Sequence, residues 1–349
     1  MDGADAIVAD FSTQGPHVLG FASVEFPAPL KEELLALNVS GNDEIARASL
    51  CANALADTYS RALDAALEVA QIAGASLIAV GCHGQTVRHR PDLGYTVQIN
   101  NAARLAEITG VTVVSDFRSR DIAAGGQGAP LVPAFHDGIF RSPHETRVIV
   151  NIGGIANITF LAPGIPAWGF DCGPGNCLMD AIAMQHLGQA FDTNGAFAAQ
   201  GRVAGSLFAR LSAHPYFAAP PPKSTGRDDF HTNWLAAQLN GESAADVQAT
   251  LLELTAWAIS GSVRAHAPRA SRVMLCGGGA FNSTLRLALG QKLPGISVEL
   301  VSQHGVPEQQ VEALAFAWLA KQCVERKSID LSHTTGAAGP RILGSITPA

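Results

Sequence analysis

The sequence predicts an α/β protein with two domains. Strand-like apolar segments alternate with helix-like segments along the whole chain, which is the pattern of α/β proteins. A single hydrophobic core rarely grows past about 250–300 residues, and this chain has 349. The alternation starts again at Arg147, after a glycine-rich stretch at 124–130. We therefore expect an N-terminal domain at 1–122 and a C-terminal domain at 123–349.

The composition excludes several classes of protein. Hydrophobic residues make up 47% of the chain and charged residues 15%, which excludes a disordered chain. Lys and Arg form no stripe or block and the net charge is -7, so nucleic-acid binding is disfavoured. No apolar run approaches the roughly 18–20 residues of a membrane span, and the first residues lack the basic start of a secretory signal. The 6 scattered cysteines contain no C-x-x-C pair and indicate reduced thiols in a cytoplasm.

In the first half, hydrophobic patterning and turn residues predict each element in order. A long helix begins at a cap-like Asn-Asp-Glu at 42–44 and closes before Gly74. A second, Asn-capped helix ends at Gly110. The strands of this half are expected at 6–11, 77–82, 96–99 and 111–114, with polar loops at 83–86 and 115–121.

In the second half, the strongest local prediction is a β-hairpin. Segments 147–152 and 155–161 flank a Gly-Gly turn, which favours a tight connection between antiparallel strands. A helix is expected to end at Gly188, and a last helix with an apolar stripe to begin at Pro307. The remaining elements are strands at 168–171 and 271–275, a helix from Asn176 to about Leu187, and a helix opened by 276–282.

Two glycine turns could hold phosphate groups. Gly153 and Gly154 lie between Asn151 and Asn157, where backbone N–H groups can approach phosphate oxygens with no Cβ in the way. The triple glycine at 277–279 opens a helix and could take a flat ring or a phosphate. For the first turn a plain structural hairpin is an open alternative, and for the second tight packing is.

Two further clusters carry side chains suited to acid–base chemistry or to ligand binding. Asp171 lies at a strand end, before a rigid Gly-Pro-Gly turn and a helix start, where it could be a general base or merely cap the turn. The loops at 83–86 and 116–121 follow buried strands and carry groups suited to sugar hydroxyls and an anionic substituent. His83 has no second ligand at metal-site spacing, and an exposed helix face is the plainer interpretation of Glu312. Spacing alone predicts a two-domain α/β protein with turns suited to a phosphorylated ligand.

Taken together, these motifs resemble the anhydro-N-acetylmuramic acid kinases of bacterial peptidoglycan recycling. The resemblance implies two RNase H-like domains of the sugar kinase, actin and chaperone ATPase superfamily, with a central cleft that closes around ATP. The matching stretches, in chain order, are GCHGQTVRHRP, SDFRSRDIAAGGQGAPLVPAFH, VNIGGIANITFL, GFDCGPGNCLMDA, PKSTGR, LCGGGAFN, VEALAFAWLA and TTGAAGPRILG.

The resemblance also implies a reaction and its residues. Water opens the 1,6-anhydro ring at C1 while O6 takes the γ-phosphoryl of ATP, giving N-acetylmuramate 6-phosphate and ADP. Asp171 would activate the water, Mg²⁺ would accompany ATP, and no dedicated protein metal site is expected. A homodimer in the cytoplasm is implied. The sugar-side residues would be His83, Gln85, Arg120 and Glu312. The ATP-side residues would be Asp2, Gly3, Asp5, Gly153, Gly154, Asn157, Gly173, Gly175, Asn176, Gly277, Gly278 and Gly279.

The start of the chain departs from the resemblance. Family members normally begin with a strand and a Gly-Thr-Ser turn upstream of the segment that matches 2–5. We therefore expect the first sheet to lack a strand and the first phosphate turn. Two explanations are open: Met1 is an internal methionine of a longer gene, or the chain is short and its ATP site is weakened. A truncated, weakly active or inactive relative that binds sugar or nucleotide is the alternative function.

Overall fold

A computed structural model describes residues 3–12, 15–226 and 228–349. Its β-strands are β1 Gly3–Asp10, β2 His17–Glu25, β3 Val80–Gly81, β4 Gln85–Arg90, β5 Tyr95–Ile99, β6 Val113–Ser115, β7 Thr146–Ile152, β8 Ile155–Leu161, β9 Trp168–Pro174, β10 Ala270–Cys276, β11 Ser297–Leu300 and β12 Ser345–Thr347. Its α-helices are α1 Ala28–Ala36, α2 Glu44–Ala70, α3 Ala102–Thr109, α4 Ser119–Ala123, α5 Val132–Phe140, α6 Cys177–Leu187, α7 Gly205–Ser212, α8 Pro215–Ala218, α9 Thr232–Ala236, α10 Ala244–His266, α11 Ser283–Lys292 and α12 Val311–Val324. None of these helices is long and apolar enough to span a bilayer.

The chain divides into two compact units, and the division differs from the expected boundary at 122/123. The first unit combines Met1–Phe135 with Gln310–Ala349, and the second is His136–Gln309. The end of the chain returns to the first unit because β12 pairs with β6. The expectation of one C-terminal domain at 123–349 is corrected accordingly, since strand pairing over such a distance leaves no local signal in the sequence.

The glycine-rich stretch at 124–130 is held inside the first unit and does not form the crossing. The N–H of Gly128 donates to the buried carboxylate of Asp121 at 2.7 Å. The N–H of Gln127 donates to the carbonyl of Thr335 at 2.8 Å. The Thr335 hydroxyl also donates to Asp121, at 2.8 Å. These contacts fasten the stretch to the C-terminal return, and the chain leaves the first unit later, within α5.

The second unit is built on a five-stranded mixed sheet in the order β11-β10-β7-β8-β9. The antiparallel hairpin of β7 and β8 has the predicted bounds to within one residue, because alternating apolar residues flank its Gly-Gly turn. β10 pairs with β7 in parallel, and the helices between β9 and β10 provide the long connection that a parallel pair needs. Buried residues of these strands and of α10 form one apolar core. An antiparallel meander followed by parallel strands is the arrangement expected of an RNase H-like domain, and the α/β class is confirmed.

The first unit carries smaller sheets. β12, β6 and β3 form one sheet, β1 pairs with β2, and β4 pairs with β5. The long helix α2 packs against β1 and β2, and Leu34, Leu55 and Ile99 are buried in their shared core. α12 packs so closely on β3 that a Cβ on Gly81 would lie 2.3 Å from the carbonyl oxygen of Phe316.

Several elements differ from the sequence prediction. The strand expected at 77–82 is reduced to β3, and 74–76 before it forms a single 3₁₀ turn. The loop expected at 115–121 contains the short helix α4. The last helix begins at Val311 and not at Pro307. Elements β2, α1 and α10 were not predicted.

Candidate functional site

A row of polar side chains crosses three strands of the second unit. In the strand register Asn151 on β7 faces Asn157 on β8, and Asn157 faces Asp171 on β9. Residues that face each other across a sheet project on the same side. All three are half-buried between residues that are mostly buried. The predicted base and the predicted phosphate-side asparagine therefore lie next to one another.

The hairpin turn at Gly153 and Gly154 is tied to the turn that follows β9. The N–H of Asn176 donates to Gly153 at 2.8 Å, and the N–H of Gly175 donates to Gly154 at 2.9 Å. The side-chain amide of Asn176 donates to the carbonyl of Ile152 at 3.3 Å. A Cβ on Gly175 would lie only 2.2 Å from the carbonyl oxygen of Gly153. Both turns thus form one rigid backbone surface just before α6, and Gly173 before them has a left-handed φ of 143°.

The triple glycine lies against the same surface. Gly277 has φ 79°, and a Cβ on it would lie 2.4 Å from Asn151 Oδ1. A Cβ on Gly279 would lie 2.3 Å from a side-chain carbon of Ile152 and 2.8 Å from Asn176 Oδ1. A Cβ on Gly278 would make only an ordinary van der Waals contact, with Asn176 Nδ2 at 3.8 Å. Close packing therefore accounts for Gly277 and Gly279. The same packing places the triple glycine beside the hairpin turn at 153–154 and the turn that follows β9.

Asp171 is held by the segment that contains α8 and the loop after it. The N–H of Thr225 donates to Asp171 Oδ2 at 3.0 Å. The hydroxyl of Tyr216 donates to the carbonyl oxygen of Asp171. Burial raises the pKa of the Asp171 carboxyl, and the Thr225 N–H opposes that rise. A partly desolvated carboxylate with one oxygen already bonded is suited to accept a proton at the other.

In the first unit, His83 is paired with Arg118. Nδ1 of His83 contacts the Gly84 carbonyl at 2.8 Å. A carbonyl only accepts, so Nδ1 carries the proton and Nε2 has the lone pair. Arg118 donates to that Nε2 through Nε at 3.0 Å and through a terminal nitrogen at 2.9 Å. Burial and then the Arg118 charge lower the pKa of His83 to about 4, so the ring is neutral near pH 7.

Arg118 is a half-buried cation without a carboxylate partner within ion-pair distance in the part of the chain that the structure describes. Besides His83, it donates to the carbonyl of Gly128 at 2.7 Å. Burial lowers the pKa of its guanidinium, while the charges of Glu312 and Asp121 act in the opposite direction. Sequence reasoning named the 116–121 loop but selected Arg120, so Arg118 was missed.

The other sugar-side predictions lie on separate elements of the first unit. Arg120 is exposed on α4, and Glu312 is exposed in the first turn of α12. Gln85 opens β4, half-buried, with its register partner Ile99 on β5. The attraction between Glu312 and Arg118 connects α12 to the His83 pair. The structure therefore brings His83 and Arg118 into contact, and a sugar-side role for Gln85, Arg120 and Glu312 stays a prediction.

The predicted ATP-side residues near the N-terminus are engaged in the β1–β2 pair. Gly3 faces Glu25 in the register, and a Cβ on it would lie 2.4 Å from the carbonyl oxygen of Val24. Asp5 accepts a hydrogen bond from the Ser23 hydroxyl. Asp2 lies outside the described residues. ATP binding by these residues stays a prediction.

The comparison with protein families covers the whole chain. Residues 1–349 match the model of a family described as anhydro-N-acetylmuramic acid kinase. The chain belongs to the anhydro-N-acetylmuramic acid kinase family. This membership confirms the resemblance on which the site prediction rests, and it makes the chain a member of a family of kinases.

Individual relatives agree with the family. An anhydro-N-acetylmuramic acid kinase of Cupriavidus metallidurans is 50% identical over 360 residues, covering 100% of this chain and 95% of the relative. The kinase of the same name from Cupriavidus pinatubonensis is 51% identical over 358 residues, covering 100% and 96%. Among solved structures, component A of the Acidaminococcus fermentans (R)-2-hydroxyglutaryl-CoA dehydratase is similar with a TM-score of 0.45 and 16% identity, covering 90% of this chain and 96% of that one.

Proposed function

We propose that the protein is an ATP-dependent kinase that opens the ring of 1,6-anhydro-N-acetylmuramic acid and phosphorylates O6. The products are N-acetylmuramate 6-phosphate and ADP. One observation carries the proposal: in a chain of this kinase family, a half-buried carboxylate, Asp171, adjoins a rigid surface of three glycine turns. Such a surface suits a phosphorylated ligand, and the neighbouring carboxylate suits a base.

Asp171 is the proposed general base. Its Oδ2 accepts the Thr225 N–H, while Oδ1 has no hydrogen bond among residues 3–12, 15–226 and 228–349. Oδ1 takes a proton from water as the water oxygen bonds to C1 of the sugar. The C1–O6 bond breaks, O6 bonds to the γ-phosphorus, and the bond between that phosphorus and the β–γ bridging oxygen of ATP breaks. The base must lie within hydrogen-bond reach of the water for this step.

The glycine turns would bind the nucleotide. The N–H groups of the Gly153–Gly154 turn would stabilise phosphate oxygens, while the N–H groups of Gly175 and Asn176 donate to the carbonyls of that turn and hold it in place. The N-terminus of α6 adds a favourable dipole for an anion. Gly278, where a Cβ would make only an ordinary van der Waals contact, would lie under the adenosine.

Magnesium fits this site as an ion that arrives with ATP. Mg²⁺ is usually held by one or two carboxylates together with substrate phosphates and water. The described residues contain no cluster of three or more His, Cys, Asp or Glu that could hold a metal. Asp171 is engaged by the Thr225 N–H and by the water in the proposed step, so the ion would be held mainly by phosphate oxygens and water. Bound Mg²⁺ would neutralise phosphate charge during transfer.

The first unit would bind the sugar. Arg120 is exposed on α4, so its guanidinium is available to the carboxylate of the sugar's lactyl group. His83, Gln85 and Glu312 would bind hydroxyl and amide groups. Arg118 would hold the His83 ring in its neutral form and add positive charge beside it. The proposal places the enzyme in the cytoplasm as a homodimer, and its six cysteines are free thiols.

The test is the release of ADP in the presence and absence of the anhydro sugar. In Asp171→Asn we expect sugar-dependent ADP release to fall by about 10²–10⁴-fold, because the amide cannot take the proton. ATP binding, measured by calorimetry, should persist. Asp137→Asn removes a partly exposed carboxylate paired with Arg141 and should keep full activity.

Two outcomes would overturn the proposal. Turnover of another sugar with none on the anhydro sugar would show that the substrate is wrong. A wild-type protein that is stabilised by sugar or nucleotide but transfers no phosphoryl group would be a binding protein and not a kinase.

A further inference from the structure

The 215–225 segment, which comprises α8 and the seven residues after it, holds Asp171 at three atoms. The Thr225 N–H donates to Oδ2 at 3.0 Å. The Tyr216 hydroxyl donates to the Asp171 carbonyl oxygen. The Asp171 N–H donates to the carbonyl of Lys223 at 3.3 Å. The backbone of Asp171 and one of its carboxylate oxygens are thus fixed by a segment far away in the sequence.

Lys223 stabilises the segment through contacts with other residues of the same segment. Its ammonium donates to the Tyr216 carbonyl at 3.1 Å. It lies 4.6 Å from the centroid of the Tyr216 ring and 5.7 Å from that of Phe170, at distances that permit cation–π attraction. No ion pair joins Lys223 to a carboxylate within the described residues. Its contacts are carbonyls and rings, which is the environment of a structural ammonium and not of a phosphate ligand.

We propose that the 215–225 segment is a positioning element that selects Asp171 Oδ1 as the basic oxygen, with Thr225, Tyr216 and Lys223 as positioning residues. This inference rests on the proposed function. The Thr225 N–H bonds to Oδ2 and lowers its basicity, whereas Oδ1 accepts no hydrogen bond within the described residues, so Oδ1 is the more basic oxygen towards the water. The Tyr216 and Lys223 contacts keep the main chain of Asp171 from moving away from the reacting atoms, where a displacement of about 1 Å costs roughly 10²-fold in rate.

The charges around Asp171 make the Thr225 N–H important for its ionisation. Tyr216 and Cys172 lie close, but burial raises the pKa of both, that of Cys172 to about 12, so both are neutral near pH 7. Asp229 accepts the Thr225 hydroxyl at 2.6 Å. The charge of the Lys223 ammonium acts on Cys172 and on His266 of α10. Burial raises the pKa of Asp171, and the Thr225 N–H is the group that opposes this.

The test compares Thr225→Pro, which removes the N–H, with Thr225→Ala, which keeps it. We measure kcat/KM for the anhydro sugar as a function of pH. Loss of the N–H raises the folded pKa of Asp171, and a base acts when it is ionised, so the acidic limb should move to higher pH in the proline variant. The kcat of that variant should fall roughly ten- to hundredfold. The alanine variant should keep the wild-type limb. A proline variant with a wild-type limb overturns the proposal.

If circular dichroism shows that Thr225→Pro does not fold, a pair of Lys223 variants tests the positioning role of the 215–225 segment. Lys223→Met should lower kcat with the KM for ATP unchanged, and Lys223→Arg should restore most of it. If Lys223→Met raises the KM for ATP at constant kcat, the segment binds nucleotide and the proposal is overturned. Inactivity of the wild type on the anhydro sugar would instead refute the proposed function, and this inference with it.

Discussion

The adjacent glycines Gly277 and Gly278 have different surroundings. Gly277 has a left-handed φ of 79° and no room for a Cβ, because Asn151 Oδ1 and the carbonyl oxygen of Ile152 lie within 2.4 and 2.8 Å of it. Gly278 has an ordinary φ and no atom closer than 3.8 Å. Gly277 is therefore required by the backbone, while Gly278 has room for a Cβ.

We expect Gly277→Ala to lower the free energy of unfolding by about 1–2 kcal/mol or more, from left-handed strain alone. It should also weaken ADP binding, since Asn151 must move. Urea unfolding and calorimetry measure the two effects. Gly278→Ala is the matched control and should change stability by less than about 0.5 kcal/mol. Equal losses in both variants would contradict the assignment of strain to Gly277.

Much of the candidate site could be predicted from the sequence, because its main residues lie in short local motifs. The glycine turns at 153–154 and 277–279 and the Asp171 turn are each contiguous in sequence. The contacts of Thr225 and Tyr216 with Asp171 were not predicted, because they span separations of 54 and 45 residues. Arg118 could not be told from Arg120 by residue type, since only burial and the His83 contact separate them.

The parallel strands β7 and β10 have glycine turns at their carboxyl ends and charged side chains near their amino ends. Their carboxyl ends, at Ile152 and Cys276, lead into the glycine turns. Near their amino ends, Arg272 joins Glu145 at 3.0 Å and also pairs with Glu299 of β11. His304 contacts Glu299 at 2.8 Å. This network ties strands together at the end of the sheet away from the site.

Replacing Glu299 by Gln should lower the free energy of unfolding at pH 7 by about 1 kcal/mol, the usual size for a charge-assisted bond. Hydrogen bonding to Arg272, then to Ser297, lowers the pKa of Glu299 to about 2 from an ordinary 4.5. A depressed pKa contributes stability above the ordinary value, and this is lost as pH falls towards 2. The difference between wild type and variant should therefore narrow below about pH 4.5 in urea titrations.

Glu325→Gln is the control for that series, because the Lys321–Glu325 pair at the end of α12 is more exposed. Such pairs contribute about 0–1 kcal/mol. We expect little change at pH 7 for this variant. If the Glu299→Gln difference stayed constant down to pH 3, the carboxylate would not be the source of the stabilisation.

Elements whose pattern is local were predicted well, and elements defined by packing were not. The β7–β8 hairpin alternates around its turn, and α3 ends at a left-handed Gly110. α10 was missed because it is buried on most of its circumference, with Gln248, Thr255 and Ser260 inside the core, so no apolar stripe stands out.

At the scale of the whole molecule, the return of the chain end to the first unit is the feature that could not be predicted from the sequence. Ile346 of β12 faces Val114 of β6, and Leu343 is buried in the core of α12 and β6. A segment more than two hundred residues away thus completes the sheet of the first unit. The sequence shows these residues only as an apolar run near the terminus, without the identity of their partner.

If the two units are separate cooperative bodies, a cavity in one should loosen that one alone. Leu343→Ala in the first unit and Leu285→Ala in the second each remove a side chain that is at most 1% exposed, at a cost of about 2–5 kcal/mol. Hydrogen exchange is then followed in β6 and β7. Leu343→Ala should speed exchange in β6 and leave β7 protected, and Leu285→Ala should do the reverse. Equal loss of protection in both strands for either variant would show a single cooperative body.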